Sequence, residues 1–219
     1  MDQEEEYQYE PLWGNPIITK GVDGNITQYE YDPFGRPIKT ISPDGISTFY
    51  SLQWLANGES ITDDNGSPVP GVLYFGEVNS EGVPSRKTWF DAFGRAVKTE
   101  TDGFNSKVYS VKLYNNKGLI ARYNPSFMPG LSTVSTSFKY DDFGRITESE
   151  TGNIRPSFFE YPPIGGGIYE ENVTDPVMRI SKRRTDASGN LEEAEDATQG
   201  IVKYFYYSHG GVKEIISNV

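Results

Sequence analysis

The chain has 219 residues, with 23 Gly, 14 Pro, 15 Tyr and 12 Phe, no cysteine and a formal charge of −11. The length suits one substantial domain, and the lack of cysteine excludes disulfides and thiolate metal sites. The acidic balance argues against nucleic acid or an anionic membrane as partner, since both attract clustered Lys and Arg.

Turn residues and aromatics dominate, and no stretch offers the i, i+3, i+4, i+7 apolar stripe of a good helix. No apolar run approaches the roughly 18–20 residues a membrane-spanning helix needs, so no membrane insertion is expected. Residues 1–10 form an acidic, Tyr-bearing tail without the apolar core of a targeting peptide, and disorder is expected over Asp2–Glu6. Residues 11–219 are expected to form a single β domain.

Three stretches then repeat one pattern: TQYEYDPFGRPIKT at 27–40, KTWFDAFGRAVKT at 87–99 and TSFKYDDFGRITES at 136–149. An internal repeat outranks other signals, because one unit cannot bury its apolar face without stacked neighbours. Asp32-Pro33-Phe34-Gly35 carries the preferences of a type I turn, and a left-handed Gly after it makes the G1 bulge of a short hairpin. Asp91-Ala92-Phe93-Gly94 and Asp141-Asp142-Phe143-Gly144 keep the two demanding positions. The flanks alternate with period two, as in Tyr29 and Tyr31 or Phe138 and Tyr140, which predicts strands. Arg36, Arg95 and Arg145 each follow an Asp by four residues; the choice of Arg, never Lys, in these copies points to a planar, multiply bonded pairing.

Weaker copies lie between and after these. Leu113–Ile120 keeps the aromatic, with Asn115 in the Asp slot and Gly118 three on. Asp186–Leu191 has the turn without the aromatic, and in Tyr207–Val212 the turn is read as opening at Ser208. Turn openings recur at intervals of 24, 26 and 22 residues, with gaps of 59 and 45 holding about two units each. That pitch suits two strands and two connections. Hairpins are expected at 26–31 with 36–42, 86–91 with 95–101, 108–114 with 119–123, 135–140 with 145–150, and 202–207 with 212–217. The fold class is all-β: a twisted antiparallel sheet of sequential hairpins, forming a curled ribbon or partial shell.

This x-Y-D-x-x-G-R-x pattern resembles the YD repeat of Rhs proteins, also found in shell components of bacterial toxin complexes and in teneurins. The layout of residues 86–95, 113–118, 139–145 and 185–190 resembles the cell-surface Rhs proteins of gut Bacteroidetes in particular. The resemblance covers Gly21 to Val219. It implies a ribbon of hairpins that in full-length relatives spirals into a hollow shell around a C-terminal payload, and a cell-surface or secreted location. The repeats here are too few to close a shell, and no core segment with self-cleaving Asp residues is present. The chain is therefore read as one section of a longer protein.

Chemistry is sparse. His209 is the one histidine and sits at a turn tip. Asp63-Asp64-Asn65-Gly66 has oxygen ligands and a Gly but lacks the spacing and terminal Glu of an EF-hand, and is read as a loop. Gly165-Gly166-Gly167 precedes no helix, so it is read as a flexible loop rather than a phosphate cradle. Lys182-Arg183-Arg184 is read as a solvated strand or turn, and Glu192–Ala197 as an exposed turn. Tyr31, Phe90 and Tyr140 are expected to pack on neighbouring hairpins. Trp13, Trp54 and Trp89 are left open between packing and ligand contact, with Trp89 facing the opposite side of its strand from Phe90. No catalytic, cofactor or metal residue is assigned and no cofactor is expected. The role expected is a non-catalytic structural segment, whose partners are other repeats of the full-length protein and its own copies through sheet edges. The alternative is a carbohydrate-binding or adhesion module with a glycan as partner.

Overall fold

The structure is a computed structural model that describes residues 5–128 and 133–218. Among the described residues there is no helix, and nineteen strands follow one another. They fall into two compact units, residues 1–113 with 124–133 and residues 114–123 with 134–219. The expectation of one domain over 11–219 thus meets a chain packed as two units.

The first unit contains β1 (Glu6–Tyr9), β2 (Pro16–Lys20), β3 (Ile26–Tyr31), β4 (Pro37–Ile41), β5 (Ser47–Trp54), β6 (Val72–Ser80), β7 (Val83–Asp91), β8 (Ala96–Asp102) and most of β9 (Lys107–Tyr114). Each strand from β1 to β9 pairs antiparallel with the next. β1 lies inside the acidic segment expected as a tail: Glu6 opposes Lys20 and bonds it at 3.0 Å, so pairing with β2 offsets the low hydropathy. Residues 1–4, on which much of the expected disorder falls, lie outside the described residues.

The second unit contains β11 (Thr136–Tyr140), β12 (Ile146–Thr151), β13 (Ser157–Glu160), β14 (Pro163–Gly165), β15 (Ile168–Thr174), β16 (Ile180–Thr185), β17 (Leu191–Glu195), β18 (Ile201–Tyr206) and β19 (Val212–Asn218). β10 (Ile120–Phe127) is divided between the units. Pairing is again antiparallel and follows chain order, with β13 pairing β15 across the short β14. All five expected hairpins are present, most ending within two residues of the expected bounds. The alternation survives in three dimensions: Thr27, Tyr29 and Tyr31 of β3 are half-buried while Ile26, Gln28 and Glu30 face water.

Two segments depart from expectation. Leu191–Glu195 is strand β17, not an exposed turn, because cations on both neighbours neutralise it: Glu195 meets Lys182 at 3.0 Å, and Glu193 meets Arg184 at 2.9 Å and Lys203 at 3.1 Å. The Gly165–Gly167 run is no loose loop. Pro163 opposes Tyr169 and Gly165 opposes Ile168, and the three glycines, with φ of 81°, 65° and 78°, turn the chain in backbone conformations that side chains disfavour.

Core packing is concentrated in the first unit. Phe75 lies opposite Trp89, Trp89 opposite Lys98 and Lys98 opposite Val111, in one row across β6 to β9. Phe75, Trp89 and Val111 are buried, as are Ile61 and Val69 of the 55–71 excursion. Within that excursion Val69 N–H donates to Ile61 O at 2.7 Å, closing a miniature hairpin. Lys98 Nζ reaches its Thr62 carbonyl at 2.8 Å, and burial holds the Lys98 ammonium below the usual lysine range.

Candidate functional site at the repeat turns

The three F-G-R turns have one geometry. Gly35, Gly94 and Gly144 donate N–H bonds to the carbonyls of Asp32, Asp91 and Asp141 at 3.0, 3.0 and 3.2 Å. Each Asp N–H donates to the carbonyl of the Arg four residues on, at 2.9, 3.1 and 2.9 Å. The glycines have φ of 77°, 74° and 82°, and the register slips by one residue beyond each turn, as the bulge requires. Gly35 has a second reason to lack a side chain: a Cβ there would lie 2.9 Å from Trp13 Cγ.

The Asp carboxylate divides its work. Oδ1 accepts the N–H of the following Phe at 2.9 Å in all three turns, and that of the Arg at 3.0, 3.0 and 2.9 Å. Oδ2 accepts Nε of Arg36, Arg95 and Arg145 at 2.6, 2.7 and 2.7 Å. Nη2 of Arg36 and Arg95 joins on the same oxygen, so the expected multiply bonded pairing is present and a lysine could not reproduce it. Each guanidinium also sits 5.0–5.3 Å from the centroid of its own turn's Phe34, Phe93 or Phe143. Burial pushes the Asp32, Asp91 and Asp141 carboxyls up, but the backbone and guanidinium hydrogen bonds outweigh it and hold all three below the ordinary aspartate range.

The tyrosine before the turn has an equally defined task. Tyr31 Oη donates to Pro16 O at 2.8 Å, Tyr140 to Ile120 O at 2.8 Å, Tyr161 to Ile146 O at 2.9 Å and Tyr206 to Leu191 O at 2.8 Å. The last three acceptors each stand five residues after a turn-opening residue, at the start of the strand leaving the preceding turn. Strand alternation puts these turns on one edge of each unit, so each hydroxyl ties one turn to its neighbour. Phe90, without a hydroxyl, stacks on Tyr74 at 5.1 Å instead. Burial raises the hydroxyl pKa of Tyr31, Tyr140 and Tyr161 above the usual tyrosine range.

Several units escape sequence reasoning. Asp175–Arg179 has the full set of bonds, including Arg179 Nε to Asp175 Oδ2 at 2.7 Å, but Met178, with φ 68°, occupies the glycine slot. Asp196–Gly200 places Gln199 there with φ 69°. Glu10 opens a turn closed by Asn15, whose Nδ2 donates to Gly35 O at 3.0 Å. The signal that was available is Asp with Arg four residues later; demanding Gly between them hides the 175 turn. In the last hairpin Tyr207, not Ser208, opens the turn, since Tyr207 N–H bonds Gly211 O and Gly210 N–H bonds Tyr207 O; the repeat aromatic is therefore Tyr206. Asp63-Asp64-Asn65-Gly66 is a further Asp turn, with Asp63 Oδ1 accepting from Asn65 and Ser67 N–H.

The remaining candidates are accounted for individually. His209 stacks on Tyr207 at 5.3 Å, at the turn tip. Lys182 and Arg184 lie on β16 in ion pairs, Arg184 Nε meeting the buried Glu170 at 2.7 Å. Trp89 packs at 6.3 Å from Phe75, on the face opposite Phe90. Trp13 lies on Gly35 and donates Nε1–H to Pro33 O at 3.3 Å. Trp54 is 75% exposed, with its edge toward Tyr74. Among the described residues no three of His, Asp and Glu converge to hold a metal, and no helix is long and apolar enough to cross a membrane.

Residues 6–47, which contain the first full turn and its tyrosine tether, match the family model of the RHS repeat. Residues 6–47 thus carry an RHS repeat. The fold of the chain is similar to part of the crystal structure of TcdB2-TccC3-TEV, with a TM-score of 0.68 and 12% identity over 97% of this chain and 17% of that one. TcdB2-TccC3 without its hypervariable C-terminal region gives the same TM-score and identity, over 97% and 16%. TcdB2-TccC3-Cdc42 gives 0.62 at 15% identity, over 93% and 11%. At these identities the likeness shows the fold alone, and this chain spans less than a fifth of each of those chains. No curated protein matches it in sequence.

Proposed function

We propose that this RHS-repeat chain is a non-catalytic structural segment of an Rhs-type cell-surface or toxin-delivery protein, a stretch of rigid wall that adjoins other repeats of the full-length protein. The observation that carries this reading is how the conspicuous polar groups are used. Both oxygens of the repeat carboxylates and the hydroxyls of Tyr31, Tyr140, Tyr161 and Tyr206 are committed to turns and to the tethers between them. A catalytic group needs a proton or lone pair free for a substrate; these have a structural job. Self-association fits the same reading: β19, registered on β18, exposes Val212, Ile215 and Ile216, and an added strand or face would cover them. Light scattering across a concentration series tests this, and a monomer throughout would reject it.

A second reading, a carbohydrate-binding module, draws on Trp54, whose exposed indole beside Tyr74 offers a face for a sugar ring. A glycan array decides between the two. The structural role expects no specific binder, whereas a glycan whose binding disappears in Trp54→Ala would establish the second reading.

A further inference from the structure

We propose that the 55–71 excursion is pinned to the first unit by a calcium ion held by Asp64, Asn124 and Thr133. The first observation is a contact between distant parts of the chain. Asn124 Nδ2 donates to Asp64 Oδ2 at 3.0 Å, and Thr133 Oγ1 donates to the same oxygen at 3.3 Å. The second is independent and concerns burial. Asn124 is 0% exposed, and its Oδ1 is buried with no hydrogen-bond partner among the described residues. A buried amide carbonyl without a donor costs free energy, and native structures satisfy such groups with a water or an ion. The amide cannot be reversed to remove the problem, because its nitrogen is needed by the carboxylate.

The chemistry of the surroundings selects a cation. The Nδ2–Oδ2 bond brings an amide and a carboxylate side by side, and covalent geometry keeps the second oxygen of each close to that contact. Asp64 Oδ1 is also buried. An amide oxygen, a carboxylate and a hydroxyl are hard neutral or anionic ligands, the set that suits Ca²⁺, whose coordination is larger and more adaptable than the tight octahedron of Mg²⁺. The neighbouring Asp63 is spent on its own turn through Oδ1, so the site has one committed carboxylate. Few charges mean weak binding, on the order of 10⁻⁴–10⁻³ M, the class of extracellular calcium modules. The ion would act as a clasp: Asp64 belongs to the excursion that supplies the buried Ile61 and Val69, while Asn124 lies on β10.

The test is a calcium titration of the full 219-residue chain after chelation, read as the melting temperature by tryptophan fluorescence. Wild type is expected to gain about 3–5 °C at about ten times the half-saturating calcium, with little response to Mg²⁺. Asp64→Asn should abolish the gain. Asn124→Asp should melt lower than wild type without metal and be rescued by calcium, with half-saturation at least about tenfold lower, because it adds a charged ligand. Absence of a calcium-dependent shift in wild type overturns the proposal, as does an equal response to Mg²⁺. So does an Asn124→Asp protein that calcium leaves unrescued, which would assign a water to the Asn124 carbonyl. Should Asn124→Asp not fold, the wild-type and Asp64→Asn titrations decide alone.

Discussion

The two units are built from the same hairpin yet are held together differently. Every buried apolar residue among those described, from Ile61 to Val111, belongs to the first unit, where the 55–71 excursion supplies Ile61 and Val69 and meets β8 through Lys98 and the Thr62 carbonyl. The second unit's one buried residue among those described is Glu170, a charged group on an arginine. Its strands are joined by ladder hydrogen bonds, by Asp turns at 141, 175, 186 and 196, by tyrosine tethers and by the Arg184 and Lys182 ion pairs. A repeat whose turns and tethers are self-sufficient can thus extend as a single layer, and a core is an addition where an insertion supplies one. The insertion is what distinguishes the units.

The largest effect should come from removing that core. Trp89→Ala is expected to cost about 3–5 kcal/mol, while Phe158→Ala, at a half-open position of β13, should cost well under about 1.5 kcal/mol. Urea denaturation of both variants measures this. Similar costs would mean that the second unit has a core equivalent in strength, and the comparison would fail.

Acid should separate the units next. The turn carboxyls Asp141, Asp175, Asp186 and Asp196 lie below the ordinary range. Burial raises Asp141 but is outweighed by bonds from Arg145, whereas bonds from Arg179, Asn190 and Thr198 are the leading causes at the other three. A depressed folded pKa contributes stability that is present above the unfolded value, about 3.9, and is lost as the pH falls through the folded one. Asp32 and Asp91 behave alike, but their unit retains its apolar core. All three tryptophans, Trp13, Trp54 and Trp89, lie in the first unit. Far-UV circular dichroism should therefore fall below about pH 4 before tryptophan fluorescence changes. Coincident transitions would show that the core gives no extra resistance.

A smaller effect is expected at β16. Arg184→Met leaves Glu170 and Glu193 without their guanidinium. Because Arg184 is itself half-open to water, the expected cost is about 1–2 kcal/mol rather than the 3–5 of a fully buried pair. High salt should shrink the difference between variant and wild type. A salt-independent difference would assign the loss to packing of the arginine stem.

How much of this was legible depends on which physics dominates locally. The F-G-R turns could be read because Asp, Gly and Arg each have a conformational or hydrogen-bonding task, at fixed positions i, i+3 and i+4 of the turn. The sequence leaves the arginine's partner open between a carboxylate of its own hairpin and one of the adjoining hairpin, and the structure selects the Asp four residues before it. β17 could not be read: Leu191–Glu195 has helical composition, and only the cations that β16 and β18 bring alongside make it a strand. Nor could the hydrogen bond between Asp64 and Asn124, 60 residues apart. The tyrosine hydroxyls lie between these extremes: a recurring Tyr was visible, but its acceptor is a backbone carbonyl, which carries no side-chain signature.

The smallest expected effect has the opposite sign and tests whether the turn is specified by its glycine or by its aspartate. Gly94→Ala should destabilise by about 1 kcal/mol; a Cβ there would meet only Tyr74 Oη at 3.6 Å, so the cost is that of φ 74° and not of a clash. Met178 already bears that cost at φ 68°, held there by the five hydrogen bonds Asp175 accepts or makes within its turn. Met178→Gly should therefore leave the turn unchanged and stabilise the second unit by about 0.5–1 kcal/mol, offset in part by the greater freedom glycine gives the unfolded chain. Met178 is exposed, so little packing is lost. Paired melts of the two variants settle the point: a loss in both would mean that the Met178 side chain contributes contacts outweighing its backbone strain, and that the 175 turn is a different device from the one at Asp91.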